Sequence, residues 1–304
     1  MGSGDPDGWL STLARLLRAA PLPVPARARI WRALTRGRAG TPYIYPTTWR
    51  HVAGVHGGVC GVSDYTLFTD LATYEAESVR AIEEVLGDRR RPVVIDVGAH
   101  SGAWVFIVKA MHPDATVYAF EPFPALAAFI TLLAGRNGWT DVHVEQAIVG
   151  AASGEGELHF APGATDCAST VADFQSGFSQ ALRVPRVTLD EYVDAHRLEP
   201  IALIKIDVEG GELEVLQGAH RTLERLRPPL LMEVLFTTNP AHARRQQEAV
   251  ALLQQFGYAF FHIQVDGRLV RQEVVRPDPA YKALNYLVTA PAAILSDSSP
   301  TLTA

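Results

Sequence analysis

Three acidic side chains of this 304-residue chain stand where apolar runs come to an end. Asp207 and Glu209 close the stretch Lys205-Ile206-Asp207-Val208-Glu209-Gly210-Gly211-Glu212, and Glu233 closes Leu231-Met232-Glu233-Val234. Side chains of an extended strand alternate with period two, so Asp207 and Glu209 point to the same side. Carboxylates crowded at one rim raise at least one pKa, or else recruit a cation. A raised carboxylate can take a proton from an attacking hydroxyl. A bound divalent cation would lower the pKa of that hydroxyl instead. Clustering permits a metal without requiring one, so metal dependence stays open. His262, also near a strand end, is a weaker candidate for a base.

These residues need elements to position them. From residue 92 onward, β-branched apolar runs alternate with helical patterns. Strands are expected at 93–97, 116–120, 142–149, 202–208, 230–235, 258–263 and 285–289, with helices at 103–111, 125–136, 212–225 and 241–256. Shorter strands at 157–160 and 186–189 belong to an excursion from the main sheet. This rhythm predicts an α/β fold with a mainly parallel sheet and helices on both faces. Ligands of such folds bind beyond the carboxyl ends of the strands, where strand order reverses.

Two strand ends carry the binding signal. The first ends in Asp96-Val97-Gly98-Ala99-His100-Ser101-Gly102, a glycine turn leading straight into a helix. Glycine lets the backbone pass close to a ligand and take positive φ. The second ends in Glu121-Pro122, and an acid there can accept hydrogen bonds from a ribose diol. Together they point to an adenosine-containing ligand. A nicotinamide dinucleotide wants G-x-G-x-x-G, but Asp96 holds the place of the first glycine, and a carboxylate would repel a pyrophosphate. A ligand with a cationic or amino group fits better, and S-adenosylmethionine has a sulfonium and an amino-acid end. No P-loop, G-x-S-x-G or H-E-x-x-H pattern occurs.

Composition narrows the class further. Hydrophobic residues make up 48% and charged residues 20%, as in ordinary globular domains. The net charge of −6 argues against a nucleic-acid-binding surface. Residues 1–50 hold eight Arg and no Lys against Asp5 and Asp7, so that stretch is basic and the remainder acidic. No apolar run reaches the ~18 residues of a membrane span, and no secretory signal is visible. The two cysteines, Cys60 and Cys167, fit no metal spacing; one disulfide is conceivable and a reducing cytoplasm is the default. The expected organisation is an N-terminal helical and loop extension at 1–70, a catalytic domain at 71–290 and a frayed tail at 291–304. The extension, with helices near 9–20 and 26–34, would serve as a lid or as a homodimer contact. Residues 37–64 read as loop or irregular strand, and 73–86 as a helix.

In order, Asp96–Gly102, Phe120-Glu121-Pro122, Asn137, Thr188-Leu189-Asp190 and Lys205-Ile206-Asp207-Val208-Glu209-Gly210 resemble the FkbM family of S-adenosylmethionine-dependent methyltransferases. The run Glu212-Leu213-Glu214-Val215-Leu216-Gln217-Gly218-Ala219 extends the likeness, which covers roughly residues 73–235. The resemblance implies a Rossmann-like class I methyltransferase fold, with seven strands of which the last is antiparallel. It implies methyl transfer to a hydroxyl oxygen of a small-molecule acceptor, a sugar or a natural product. By the same resemblance Asp96, Gly98 and Gly102 hold the methionyl end, Glu121 with Pro122 the ribose, and Ala147 borders the adenine. His100 stands where the family commonly has Asn, and Asp207 adjoins both cofactor and acceptor. Asp207, Glu209 and Glu233 remain the candidates for the catalytic acid–base work. Two other readings compete: an adenosine-cofactor-binding protein without catalysis, and a dinucleotide-dependent sugar oxidoreductase. Each residue also has a structural alternative, such as Asp96 capping a turn or Asp207 and Glu209 pairing with Lys205.

Overall fold

The computed structural model of the chain describes residues 12–13, 16–17, 20–35, 42–49, 52–60, 74–161, 164–235, 239–275 and 283–290. Most of the first expected helix, the side chains of Cys60 and Cys167, and the tail after Ala290 lie outside the described residues. Helix α1 (Val24–Thr35) precedes a hairpin, β1 (Pro42–Trp49) and β2 (Val52–Cys60), where the sequence suggested loop or irregular strand. Its glycines and prolines hide the alternation that marks a strand. The hairpin is tied to the body by Asn137, whose amide accepts from His56 N at 2.6 Å and donates to His56 O at 2.7 Å.

The main body follows the expected order. It runs α2 (Ala76–Leu86), β3 (Val93–Val97), α3 (Ala103–Met111), β4 (Thr116–Phe120), α4 (Pro124–Asn137) and β5 (Val142–Glu145). The expected strand at 142–149 is divided: β5 stays in the main sheet, and β6 (Ile148–Val149) enters a second one. That second sheet has the order β6-β9-β7-β8, with β7 (Gly154–Ala161), β8 (Ala164–Ser169) and β9 (Gln180–Val187). Then come α5 (Leu189–His196), β10 (Leu203–Ile206), α6 (Glu212–Gln217), α7 (His220–Leu226) and β11 (Leu230–Leu235). The single helix expected at 212–225 breaks at Gly218, where a Cβ would lie 2.0 Å from the carbonyl oxygen of Gly150. Helix α8 (Pro240–Gln255) leads to β12 (Ala259–Ile263), β13 (Leu269–Gln272) and β14 (Ala283–Thr289).

The main sheet has the order β13-β12-β14-β11-β10-β3-β4-β5. Strand β14 is inserted antiparallel between β11 and β12, as the resemblance implied for the last strand. The eighth strand, β13, was not expected; it folds back as an antiparallel edge on β12. Side chains alternate between two cores. Val94, Val117, Leu203 and Leu231 face α2 and α3, whereas Ile95, Ile204, Met232 and Val288 face the side of α5–α8. Chain direction across the sheet reverses between β3 and β10, so a crevice opens above their carboxyl ends. Lys109, fully buried on α3, is held by the carbonyls of Pro113 and Ala115 and by Asp141 at 2.6 Å. A buried ammonium needs such complete pairing.

Candidate active site

Strand register brings the charged residues together. Asp96 on β3 and Lys205 on β10 are Cα partners in parallel neighbours, so their side chains emerge side by side on one face. Lys205 is paired in turn with Leu231 of β11, which places Glu233 one step further along the same face, beside Asp207. Glu233 is opposite Asn285 of the antiparallel β14. Lys205 Nζ lies 3.1 Å from Asp207 Oδ2 and 3.6 Å from Asp96 Oδ1. Asp207, Asp96 and Glu75 together hold this buried ammonium in its charged form, against the pull of burial.

Above these strand ends lies a cavity of about 320 Å³. Gly98, His100, Glu121, Pro122, Ala147, Lys205, Asp207, Glu209 and Glu233 line it. Asp96 and Gly102 are buried just behind this wall: Asp96 under Lys205, and Gly102 at the start of α3. The second sheet closes one side with Leu158 and Ala168, and Thr170 follows them. Two lining residues, Tyr74 and Glu75, come from the segment just before α2; a third, Trp104, comes from the first turn of α3. Sequence reading passed over all three, because a helix start twenty residues before β3 and an aromatic residue within an apolar helix look like ordinary packing.

Each acid is held differently. Glu121 accepts the backbone N–H of His100 on Oε2 and of Phe123 on Oε1, both at 2.7 Å. These bonds lock the carboxylate in place and leave one lone pair on each oxygen for a diol. Burial pushes Glu121 up to about 8 even though both bonds favour the charged form. His100 thus serves through its backbone, at a φ of 47°. Glu212 fastens the Glu209–Gly211 turn from inside. Its Oε1 accepts from Gly210 N at 3.1 Å and its Oε2 from Gln246 at 2.7 Å. From outside, Ser169 Oγ donates to the Glu209 carbonyl at 2.6 Å. Phe174 fills the space a Cβ on Gly210 would need.

Asp207, Glu209 and Glu233 each offer a carboxylate oxygen within 4.8 Å of the others. The three strand-end acids singled out by sequence therefore do meet. Among them Glu233 has a buried Oε2 without a hydrogen-bond partner. Burial, then Asp207, Glu209 and Glu212, push its carboxyl up to about 10. The chain is accordingly expected to lose stability as pH rises from 5 to 9. Between the ordinary value of 4.5 and about 10, the folded chain keeps a proton that the unfolded chain has shed. Rising pH then favours unfolding by up to about 1.4 kcal/mol per pH unit for this group. The stabilisation is complete below 4.5 and is gone once pH passes the folded value. Glu121 adds to the loss up to about 8. Glu233→Gln should flatten the dependence. Urea unfolding at pH 5, 7 and 9 measures it, and identical slopes for both chains would contradict this account.

The topology and the strand-end crevice define a Rossmann-like methyltransferase fold. Residues 96–260 match the Methyltransferase FkbM domain, and the chain belongs to that family. Among characterised proteins it is 27% identical to the 2-O-methyltransferase NoeI of Sinorhizobium fredii, over 45% of this chain and 60% of that protein. It is 28% identical to the hexuronic acid methyltransferase AglP of Haloferax volcanii, over 66% of this chain and 77% of that one. It is also 28% identical to the 31-O-demethyl-FK506 methyltransferase FkbM of Streptomyces tacrolimicus, over 55% of this chain and 72% of that one. Among the described residues no helix is long and apolar enough to cross a membrane.

Proposed function

We propose that this chain is an S-adenosylmethionine-dependent O-methyltransferase acting on a hydroxyl of a sugar or natural-product acceptor. The carrying observation is the acidity of the crevice: five lining acids, Glu75, Glu121, Asp207, Glu209 and Glu233, surround a single lysine, and even with Glu121 and Glu233 protonated at neutral pH the lining lacks the cluster of cations a pyrophosphate needs. A pyrophosphate placed there would face like charge. A sulfonium and an ammonium suit such an acidic lining better. The names of the three relatives, a 2-O-methyltransferase, a hexuronic acid methyltransferase and a 31-O-demethyl-FK506 methyltransferase, support the acceptor class.

Gly98 would lie along the methionyl end, with Asp96 and Gly102 shaping that turn from behind the wall, Glu121 and Pro122 would hold the ribose, and Ala147 the edge of the adenine. The bound cofactor supplies a methyl group already activated on sulfur. The protein has three tasks left. It lines up the acceptor oxygen with the carbon–sulfur bond. It excludes water, with Leu158, Ala168 and Thr170 covering one side of the cavity. It accepts the hydroxyl proton, a role that would fall to Asp207, whose position at the rim beside Lys205 supports this reading. The trio Asp207, Glu209 and Glu233 also suits a hard divalent cation in ligand type and spacing. Such an ion would lower the pKa of the acceptor hydroxyl.

Calorimetric titration with S-adenosylhomocysteine and with NAD⁺ tests the reading. Binding of the first alone is the expected result, and binding of NAD⁺ alone would replace it with an oxidoreductase. Incubation with S-adenosylmethionine and a panel of hydroxylated acceptors, read by mass spectrometry with and without EDTA, then tests transfer and metal dependence.

A further inference from the structure

We propose that the free edge of β13 is a contact between two copies of this chain, which pair antiparallel about a two-fold axis at Gln272. The inference is independent of the crevice and its cofactor. It places a homodimer contact at the edge of the main sheet rather than on the N-terminal extension.

The first observation is an open edge with apolar side chains on it. Strand β13 is the outermost strand of the main sheet and pairs with β12 alone. At the turn between them, Gln264 N donates to the Arg268 carbonyl at 2.9 Å. Antiparallel bonding alternates along a strand, so Val270 and Gln272 aim their backbone groups at β12, and Leu269 and Arg271 aim theirs outward. Among the described residues no strand meets those outward groups. Such a row is a template for another strand unless proline, lysine or a cover blunts it. No proline or lysine occurs in 265–275. Instead Val265, Val270 and Val274 are exposed there, three of the eight large apolar side chains exposed among the described residues.

The second observation is that this edge is complementary to itself. Val270-Arg271-Gln272-Glu273-Val274 reads alike in both directions, with opposite charges at the mirrored places. Strand β13 ends at Gln272, and pairing would extend it through the exposed Glu273 and Val274. Two copies running antiparallel about Gln272 set Arg271 of one opposite Glu273 of the other, twice over. They set Val270 opposite Val274 in the same way. The faces agree, because Arg271 and Glu273 already lie on one side, with Arg271 Nε 3.1 Å from Glu273 Oε1. Strand period puts the two valines on the other side. The backbone agrees too, since Arg271 and Glu273 occupy outward-bonding places and can exchange two hydrogen bonds in each pair. Moving the axis to Arg271 or to Glu273 would set like charge against like charge, which is unfavourable. A two-fold axis of this kind closes after two copies.

Sedimentation velocity of the full chain over a range of concentrations tests the contact. The paired stretch is short, so a weak dimer forming at about 10–100 μM is expected. The side chains of Arg271 and Glu273 are 60% and 79% exposed, so substituting them leaves the core untouched. Arg271→Glu sets like charges opposite each other in both pairs and should weaken the dimer about tenfold or more. Glu273→Arg should do the same. The double variant, Arg271→Glu with Glu273→Arg, restores opposite charges and should return the affinity to within about threefold of wild type. A wild-type chain that stays monomeric throughout, or a dimer that Arg271→Glu leaves unchanged, would overturn the assignment. So would a double variant that remains as weak as the single ones, or assemblies larger than a dimer.

Discussion

Asp207→Asn is expected to lower turnover by about 10²–10⁴-fold while S-adenosylhomocysteine affinity moves less than tenfold. The side chain is 28% exposed at the cavity rim, so an acceptor can reach it. Lys205 orients it from below at 3.1 Å, and an Asn oxygen can still accept that bond. The substitution therefore keeps shape and anchoring and removes the capacity to take a proton. Glu233, pushed up to about 10, already holds a proton at neutral pH. Glu233→Gln should then cost little if Asp207 works as a plain base, and as much as Asp207→Asn if the trio binds a cation. Glu209→Gln completes the set. Wild-type turnover in both Asp207→Asn and Glu209→Gln would place the proton acceptor elsewhere.

What could be read from the sequence followed from how locally each feature is encoded. Strands β3, β4 and β11 are mainly apolar runs, with Asp96 and Glu233 set near the ends of β3 and β11 and Glu121 just past β4. Strand order made the meeting of Asp207 and Glu233 legible, but not that of Glu209: β10 ends at Ile206, short of the expected 208, and Glu209 reaches the trio from a turn at a φ of 52° rather than by strand period. The hairpin β1–β2 was not legible either, since glycine-rich Val52–Cys60 lacks an apolar alternation and its anchor, Asn137, is 81 residues from His56. The break between α6 and α7 was hidden for a similar reason. Gly218 yields to a carbonyl of Gly150 that only the folded chain brings near. Glu75 depends on a contact of still longer range, with Asn285 210 residues away. Local pattern marks where a strand ends, whereas closure of the sheet decides which distant side chains share its rim.

Gly98→Ala should destabilise the chain by more than about 3 kcal/mol and abolish S-adenosylhomocysteine binding. Gly98 has a φ of 82°, and a Cβ there would lie 1.9 Å from the carbonyl oxygen of Asp207 and 2.9 Å from its carbon. The obstacle is backbone, so no rotamer change relieves it. Neither partner is free to withdraw. Gly98 N donates to the Phe120 carbonyl at 3.0 Å, and Asp207 N donates to the Val97 carbonyl at 3.1 Å. The turn after β3 is thus fastened to β4 on one side and to the end of β10 on the other. Gly138→Ala supplies the reference: its φ of 68° is also left-handed, but a Cβ there meets nothing within 4 Å. That variant should lose only the ~1–2 kcal/mol that a left-handed non-glycine costs. Urea unfolding of both variants separates backbone conformation from backbone collision. Equal losses would mean that β3 and β10 can part without penalty. A much larger loss at Gly98 would mean that the approach placing Asp207 against the glycine turn is itself a source of the fold's stability, so that the chemistry and the packing of this crevice depend on one contact.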